Sequence, residues 1–230
     1  MRGRSIISRK VLWKEIVTDG LLHYWPLDEY SDGTVPVTRK DVAGNTDLVE
    51  MATPIPSITI GESTGISNSP FPLMATLTEY LDGDFSVAYA RVFPSVWDSN
   101  DGYSTLALAA ILGEGASGGL TLSAGVKEGT EVPMDLLLLN KSDLTPVIYY
   151  IPIPELSGVP YNYVITYKRS TGTFSIYINS TRVFNEVVGD LITSIGLGYS
   201  IMCTGVSAQL RVYNKCLSQD EIDTINMIGV

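Results

Sequence analysis

Residues 161–186, YNYVITYKRSTGTFSIYINSTRVFNE, constrain the fold more than any other stretch of the chain. Tyr163, Ile165 and Tyr167 alternate with Val164, Thr166 and Lys168, the period of two expected of a strand with two different faces. Arg169 to Gly172 and Asn179-Ser180 bring turn chemistry between the apolar runs. The stretch therefore reads as an antiparallel three-stranded meander, and composition extends that reading to the whole chain. Only 17% of its 230 residues are charged, and 21 Gly, 12 Pro and 13 Tyr favour many short strands over long salt-bridged helices.

Further strands are expected on both sides of the meander. GLLHYWPLDE (20–29) reads as a first strand, with Leu22, Tyr24 and Leu27 packing inward past a break at Pro26. Residues 51–73 hold four prolines, which lack the ladder donor and mark edge or loop structure. LDGDFSVAYARVF turns at Asp82-Gly83 and then places Phe85, Val87, Tyr89 and Phe93 on one face. The apolar run Leu106 to Leu112 is short and bounded by glycine, which favours a strand over a buried helix. GGLTLSAGV, VPMDLLLLN and VIYYIPIP follow as strand candidates, with no fixed-period repeat and no second-domain linker. The expected architecture is one all-β sandwich over residues 19–230, preceded by an arm over residues 1–18.

CLSQDEIDTINMIGV ends the chain, and its Glu221-Ile222-Asp223 looks like half of the Glu-x-Asp-x-x-Glu strand of some β-sandwich glucanases. Ser218 with Glu221 three residues later is instead a capping box, in which each side chain satisfies an orphan backbone N–H. Leu217 and Ile222 occupy staple positions, and Asp220 and Glu221 suit the positive end of a helix dipole. On a helix Glu221 and Asp223 point roughly 200° apart and cannot flank one glycosidic bond. Asn226 stands where the third acid belongs.

The formal charge of −10 is uneven. Arg2, Arg4, Arg9, Lys10 and Lys14 precede the first acid, Glu15, so the remaining 10 basic residues face 25 acidic ones, a net of −15. This arm reads either as a solvated terminus or as an element that docks on an acidic neighbouring surface. The acidic body speaks against a nucleic-acid groove. Basic residues at 9, 10 and 14 interrupt any signal-peptide core, and no stretch reaches the roughly 20 apolar residues of a membrane span. The expected setting is a cytoplasm, or a virion or other large assembly made there. If Thr204-Gly205 turns a hairpin, Cys203 and Cys216 lie too far apart for a disulfide and are free thiols. The sequons at Asn140 and Asn179 then carry little meaning.

Three segments together resemble the laminin-G-like, concanavalin A-like domains. These are LLHYWPLDE followed by DVAGNTDL, the meander, and AQLRVYNKCLSQDEIDTIN, in which Tyr213, Asn214, Leu217, Ser218, Glu221 and Ile222 match the closing motif of the family. The sequence has PYNY at the start of the meander and lacks a tryptophan often found in the strand matching FSVAYARV. The resemblance implies a two-sheet antiparallel jelly roll with a short C-terminal helix, used mostly to bind carbohydrate or protein, sometimes with calcium and usually without catalysis.

Two loops are candidate sites. WDSNDGY offers Trp97 and Tyr103 as faces for a pyranose ring, with Asp98, Asn100 and Asp101 for paired hydroxyls, although Asn-Asp-Gly is also a turn signal. Asp41 and Asn45, with Asp28, Asp32 and Asp47 nearby, could supply oxygen ligands to calcium or simply form an Asx-turn. His23 is the sole histidine and reads as structural, so neither Ser-His-Asp nor Cys-His catalysis has support. The leading expectation is a non-enzymatic structural or adhesion protein of a larger assembly, such as a bacteriophage decoration, fibre or tail protein. Its partners would be further copies of itself, other assembly proteins or glycans. A stand-alone lectin module comes second and a glycoside hydrolase third.

Overall fold

The computed structural model describes residues 17–50, 54–60, 63–66, 73–77, 83–92, 105–111, 117–126, 133–140, 146–152, 160–191, 199–203 and 207–227. Among these, fifteen strands and one α-helix follow one another along the chain. They are β1 (Leu21–Trp25), β2 (Val49–Glu50), β3 (Ser57–Ile60), β4 (Ser63–Ile66), β5 (Leu73–Leu77), β6 (Phe85–Val92), β7 (Thr105–Ile111) and β8 (Ser117–Val126). There follow β9 (Pro133–Asn140), β10 (Pro146–Pro152), β11 (Pro160–Lys168), β12 (Thr173–Ile178), β13 (Thr181–Val187), β14 (Tyr199–Cys203), β15 (Ser207–Tyr213) and α1 (Gln219–Met227).

Two antiparallel sheets result, as the alternation of the meander requires. One has the order β13-β12-β11-β6-β15-β4-β3, with β1 also pairing β15; the other is β10-β9-β8-β7-β14-β5-β2. The meander forms β11 to β13, with a 3-10 turn at Arg169–Thr171 and left-handed Asn179 and Ser180 in the tight second turn. Gly172 closes the first turn at φ 62, and a Cβ there would meet the Gly189 backbone at 2.8 Å. The proline-rich stretch holds the β3–β4 hairpin at a sheet edge, where missing donors cost least.

The core lies between the sheets. Phe85, Val87 and Tyr89 from β6, Tyr163, Ile165 and Tyr167 from β11, and Leu210 and Val212 from β15 meet Leu122, Leu137, Leu139 and Ile151 from the opposite sheet. A second cluster on the outer face of the first sheet, Ala88, Val164 and Tyr213, receives Leu217, Ile222 and Ile225 of α1 and its approach. Val17 packs against this cluster as well.

Two expectations need correction. A bulge between Leu21 and His23 changes the phase of β1. As a result Trp25 enters the core, with Leu22 packed against it, while Tyr24 lies under the Arg211 guanidinium. β14 and β15 do not form the expected hairpin, because they belong to different sheets. Cys216 is nevertheless a free thiol, half-buried, and burial pushes it up from its ordinary pKa. The alternation of β6 continues into a buried Arg91, while Phe93 lies outside the described residues.

Candidate functional site

Strand register brings one set of chain crossings together. Val92 at the end of β6 pairs Pro160 at the start of β11, and Arg91 pairs Ser207 at the start of β15. In the other sheet Leu106 of β7 pairs Cys203 at the end of β14, while Val126 of β8 pairs Pro133 and Pro152 of β10 pairs Met134. Three residues join β14 to β15, too few to run the length of a sandwich, so these strand ends share one end of the molecule. Residues 93–104 join β6 to β7 there, and residues 153–159 join β10 to β11. Trp97, Asp98, Asn100, Asp101 and Tyr103 thus belong to a segment that begins and ends at this crossing end, though they lie outside the described residues. Arg2, Arg4, Arg9, Lys10 and Lys14 of the arm also lie outside them. At the same end, the side chain of Asn179 accepts a bond from the Asn162 N–H at 2.9 Å.

The aspartate-rich turn is built differently from a cation site. The Asp41 side chain is fully enclosed, and its Oδ1 accepts the N–H groups of Tyr24, Ala43 and Gly44 at 2.8–3.2 Å. Its Oδ2 accepts Thr46 N–H at 3.2 Å and His23 Nδ1 at 2.5 Å. Five donors therefore fill the roughly four lone-pair positions of a carboxylate, leaving none for calcium. Burial pushes Asp41 up, but the bonds from His23, Gly44, Tyr24 and Thr46 outweigh it and hold the acid below its ordinary range.

The neighbouring acids are similarly engaged. Asp47 binds Lys40 Nζ at 2.5 Å and the Asp41 N–H at 3.0 Å, and Asp32 Oδ1 accepts both Thr34 Oγ1 and Thr34 N–H. Asp28 and Asn45 are exposed. Among the described residues no group of three or more His, Cys, Asp or Glu could hold a metal ion. The segment is an Asx-turn whose Asp41 holds His23 of β1, and the His23 ring stacks on Trp25 at 5.1 Å and 8°. His23 is therefore a core residue, as its neighbours in sequence suggest.

A second buried centre went unread in the sequence. Arg39 is fully buried and bonds Glu50 at 2.9 Å and the Ile55 carbonyl at 3.0 Å, with a further bond to the Glu29 carbonyl. Glu50 in turn accepts the N–H groups of Val37 and Ile55. Arg39 and Glu50 are 11 residues apart across a turn, and no periodicity of either stretch foretells this pairing.

The helix carboxylates are structural. Glu221 Oε2 accepts the Ser218 N–H at 2.9 Å and Ser218 Oγ faces the Glu221 N–H at 3.4 Å, which is the expected capping box. Glu221 Oε1 binds Lys215 at 2.7 Å, while Asp223 accepts Gln219 Nε2 at 2.9 Å. The two acids belong to separate networks on a helix, an arrangement unlike a pair flanking one sugar bond. Among the described residues no helix is long and apolar enough to cross a membrane.

No family model matches the chain, and a search of the curated proteins finds no match either. Solved structures do share its fold. The binding domain of botulinum neurotoxin DC in complex with SialylT is similar at a TM-score of 0.64 and 15% identity, over 92% of this chain and 52% of that one. A botulinum neurotoxin type C structure, described by its dependence on two ganglioside molecules for cell entry, gives 0.60 and 13%, over 93% and 52%. The Trypanosoma rangeli sialidase gives 0.61 and 15%, over 92% of this chain and 33% of that one. The chain thus spans about half the length of the neurotoxin structures and a third of the sialidase. At these identities the likeness establishes the antiparallel β-sandwich and nothing finer.

Proposed function

We propose that this chain is a non-catalytic carbohydrate-binding module whose site lies at the crossing end of the sandwich. The observation that carries the reading is the attachment of residues 93–104 to the ends of β6 and β7, where several other connections converge. That segment holds Trp97 and Tyr103, aromatic faces for a pyranose ring, beside Asp98, Asn100 and Asp101, which can take paired sugar hydroxyls. Connections at the ends of a rigid sandwich are where binding residues concentrate. The neurotoxin binding domains of the same fold are described with ganglioside and sialyl ligands, which supports the ligand class without naming the sugar. The separate bonding of Glu221 and Asp223 supports binding without hydrolysis. The test is retention of the full chain on an immobilised glycan panel, with Trp97→Ala alongside. Retention that the substitution abolishes is expected; a wild-type protein that no glycan retains would sink the proposal.

Charge asymmetry favours a second reading, an adhesion or structural subunit of a larger assembly such as a virion. Five arm cations precede a body with a net of −15, so the arm of one copy could dock on the body of another. Sedimentation velocity at low and high salt tests it with the full chain and a variant carrying Gln at Arg2, Arg4, Arg9, Lys10 and Lys14. Salt-sensitive oligomers that vanish in the variant are expected, and monomers throughout would count against the reading.

A further inference from the structure

We infer that the outer face of the second sheet, β10-β9-β8-β7-β14-β5-β2, docks a second copy of this chain, the two copies packing face to face. The inference goes beyond the carbohydrate-binding reading and does not depend on it. An antiparallel sheet with one face in water ordinarily alternates apolar-in with polar-out, and this sheet does not.

Register fixes which positions share that face. Leu122, Leu137, Leu139 and Ile151 are buried in the core between the sheets. Successive residues of a strand take opposite faces, so Ile148 and Tyr150 of β10, 52% and 45% exposed, lie outward. Ile148 pairs Leu138, Leu138 pairs Thr121, and Thr121 pairs Ala107. Ala107 pairs Met202, Met202 pairs Met74, and Met74 pairs Val49, which completes one outward row across all seven strands. The far end of the row agrees with the near one, since Val49 is 52% exposed and its neighbour Glu50 is buried. Flanking positions on the same face are Tyr150, Leu136 and Ser123 on one side and Ala109, Ser200 and Thr76 on the other. The charged residues of the seven strands are Glu50 and Asp135, and both have inward register, because Asp135 pairs the buried Ile151. The outward strand positions thus carry no charge, in a chain of which 17% is charged. On the first sheet the outer face is covered by α1, the only α-helix among the described residues.

Size and charge select the occupant. Seven strands about 4.8 Å apart and about seven residues long present roughly 600–700 Å². A specific dimer buries about 600–1,000 Å² per partner, and exposed apolar patches of this extent mark association sites. Outside the arm 10 basic residues face 25 acidic ones, a net of −15, so two copies repel one another across most of their surface. The outer face of the second sheet meets its own copy without that repulsion, and its burial strands no ion. A lipid surface would call for cations or tryptophan beside the apolar residues, and the seven strands contain neither.

The test is sedimentation velocity of the full chain over about 1–100 μM, at about 50 mM and about 500 mM salt. The disrupting variant is Ile148→Lys with Tyr150→Lys, and Val187→Lys on β13, 73% exposed on the other sheet, is the control. Circular dichroism checks that each keeps its strands. Dimers at both salt concentrations are expected of the wild type and the control, with the dimer Kd of the double variant raised at least about tenfold by like charges on the buried face. Val49→Lys, at the far end of the row, carries the same expectation and replaces the double variant if that one misfolds. A monomeric wild type, or a smaller rise in Kd in a folded variant, would overturn the inference. Dimers that dissociate in high salt would overturn it as well and assign association to the arm. A monomer that floats with phosphatidylcholine vesicles would give the face to lipid instead. Glycan retention is a separate measurement, so the carbohydrate-binding reading stands or falls independently of these outcomes.

Discussion

The His23 imidazole meets the Asp41 carboxylate at 2.5 Å with neither side chain exposed, and this pair fastens β1 to the turn over residues 41–46. A carboxylate can only accept, so Nδ1 carries the proton that is shared with Oδ2. Removing one partner leaves the other buried without its bond. Asp41→Ala is expected to cost about 3–5 kcal/mol in urea denaturation. A loss under about 1 kcal/mol would mean that the enclosure relaxes around the gap.

Acid should act through the same residue. Asp41 is held below its ordinary range in the folded chain, so its contribution is present above the unfolded value of about 3.9 and is lost as pH falls through the folded value. Stability followed by circular dichroism should decline below about pH 4, and Asp41→Asn should flatten that decline. An unchanged acid profile in the variant would assign the transition to other carboxylates.

Gly44 stands against this pair. A Cβ there would lie 2.5 Å from Asp41 Oδ2, 2.6 Å from His23 Nδ1 and 2.7 Å from the Leu22 carbonyl. Gly44→Ala should therefore destabilise by about 1–3 kcal/mol through overpacking. Wild-type stability in this variant would show that the turn can swing away from β1.

The buried hydroxyl of Tyr213 has no hydrogen-bond partner among the described residues, and burial pushes the phenol up to about 12. The folded chain thus retains this proton longer than the unfolded one. Its contribution is complete below about pH 10 and is lost as pH rises through about 12. Tyr213→Phe should match or slightly exceed wild-type stability at pH 7 and should lose less of it at alkaline pH. A large loss at pH 7 would reveal a partner for the hydroxyl.

Ser218→Ala removes the cap of α1 and should cost about 0.5–2 kcal/mol. Because Leu217, Ile222 and Ile225 stay in place, the effect should appear as earlier melting with the sheets intact. Glu221→Gln should behave similarly, and no glycoside turnover is expected from either protein. Turnover that the Glu221 substitution abolished would restore the hydrolase reading.

Local signals account for much that was legible beforehand. The alternation of Tyr163, Ile165 and Tyr167 and the turn residues around it specified three adjacent strands, because strand period and turn conformation are properties of neighbouring residues. Ser218 and Glu221 specified a capped helix for the same reason, and this removed the apparent glucanase strand. Whatever depends on distant partners was settled only by folding. The phase of β1 follows a bulge against β15, and β14 and β15 enter different sheets although three residues separate them. Asp41 could have served a cation until the closed structure turned five N–H donors onto it, and Arg39 and Glu50 of β2 became partners only when the chain around them was enclosed. Periodicity reports which face of an element is apolar; it carries no information about which polar groups a closed sandwich will bring within bonding distance.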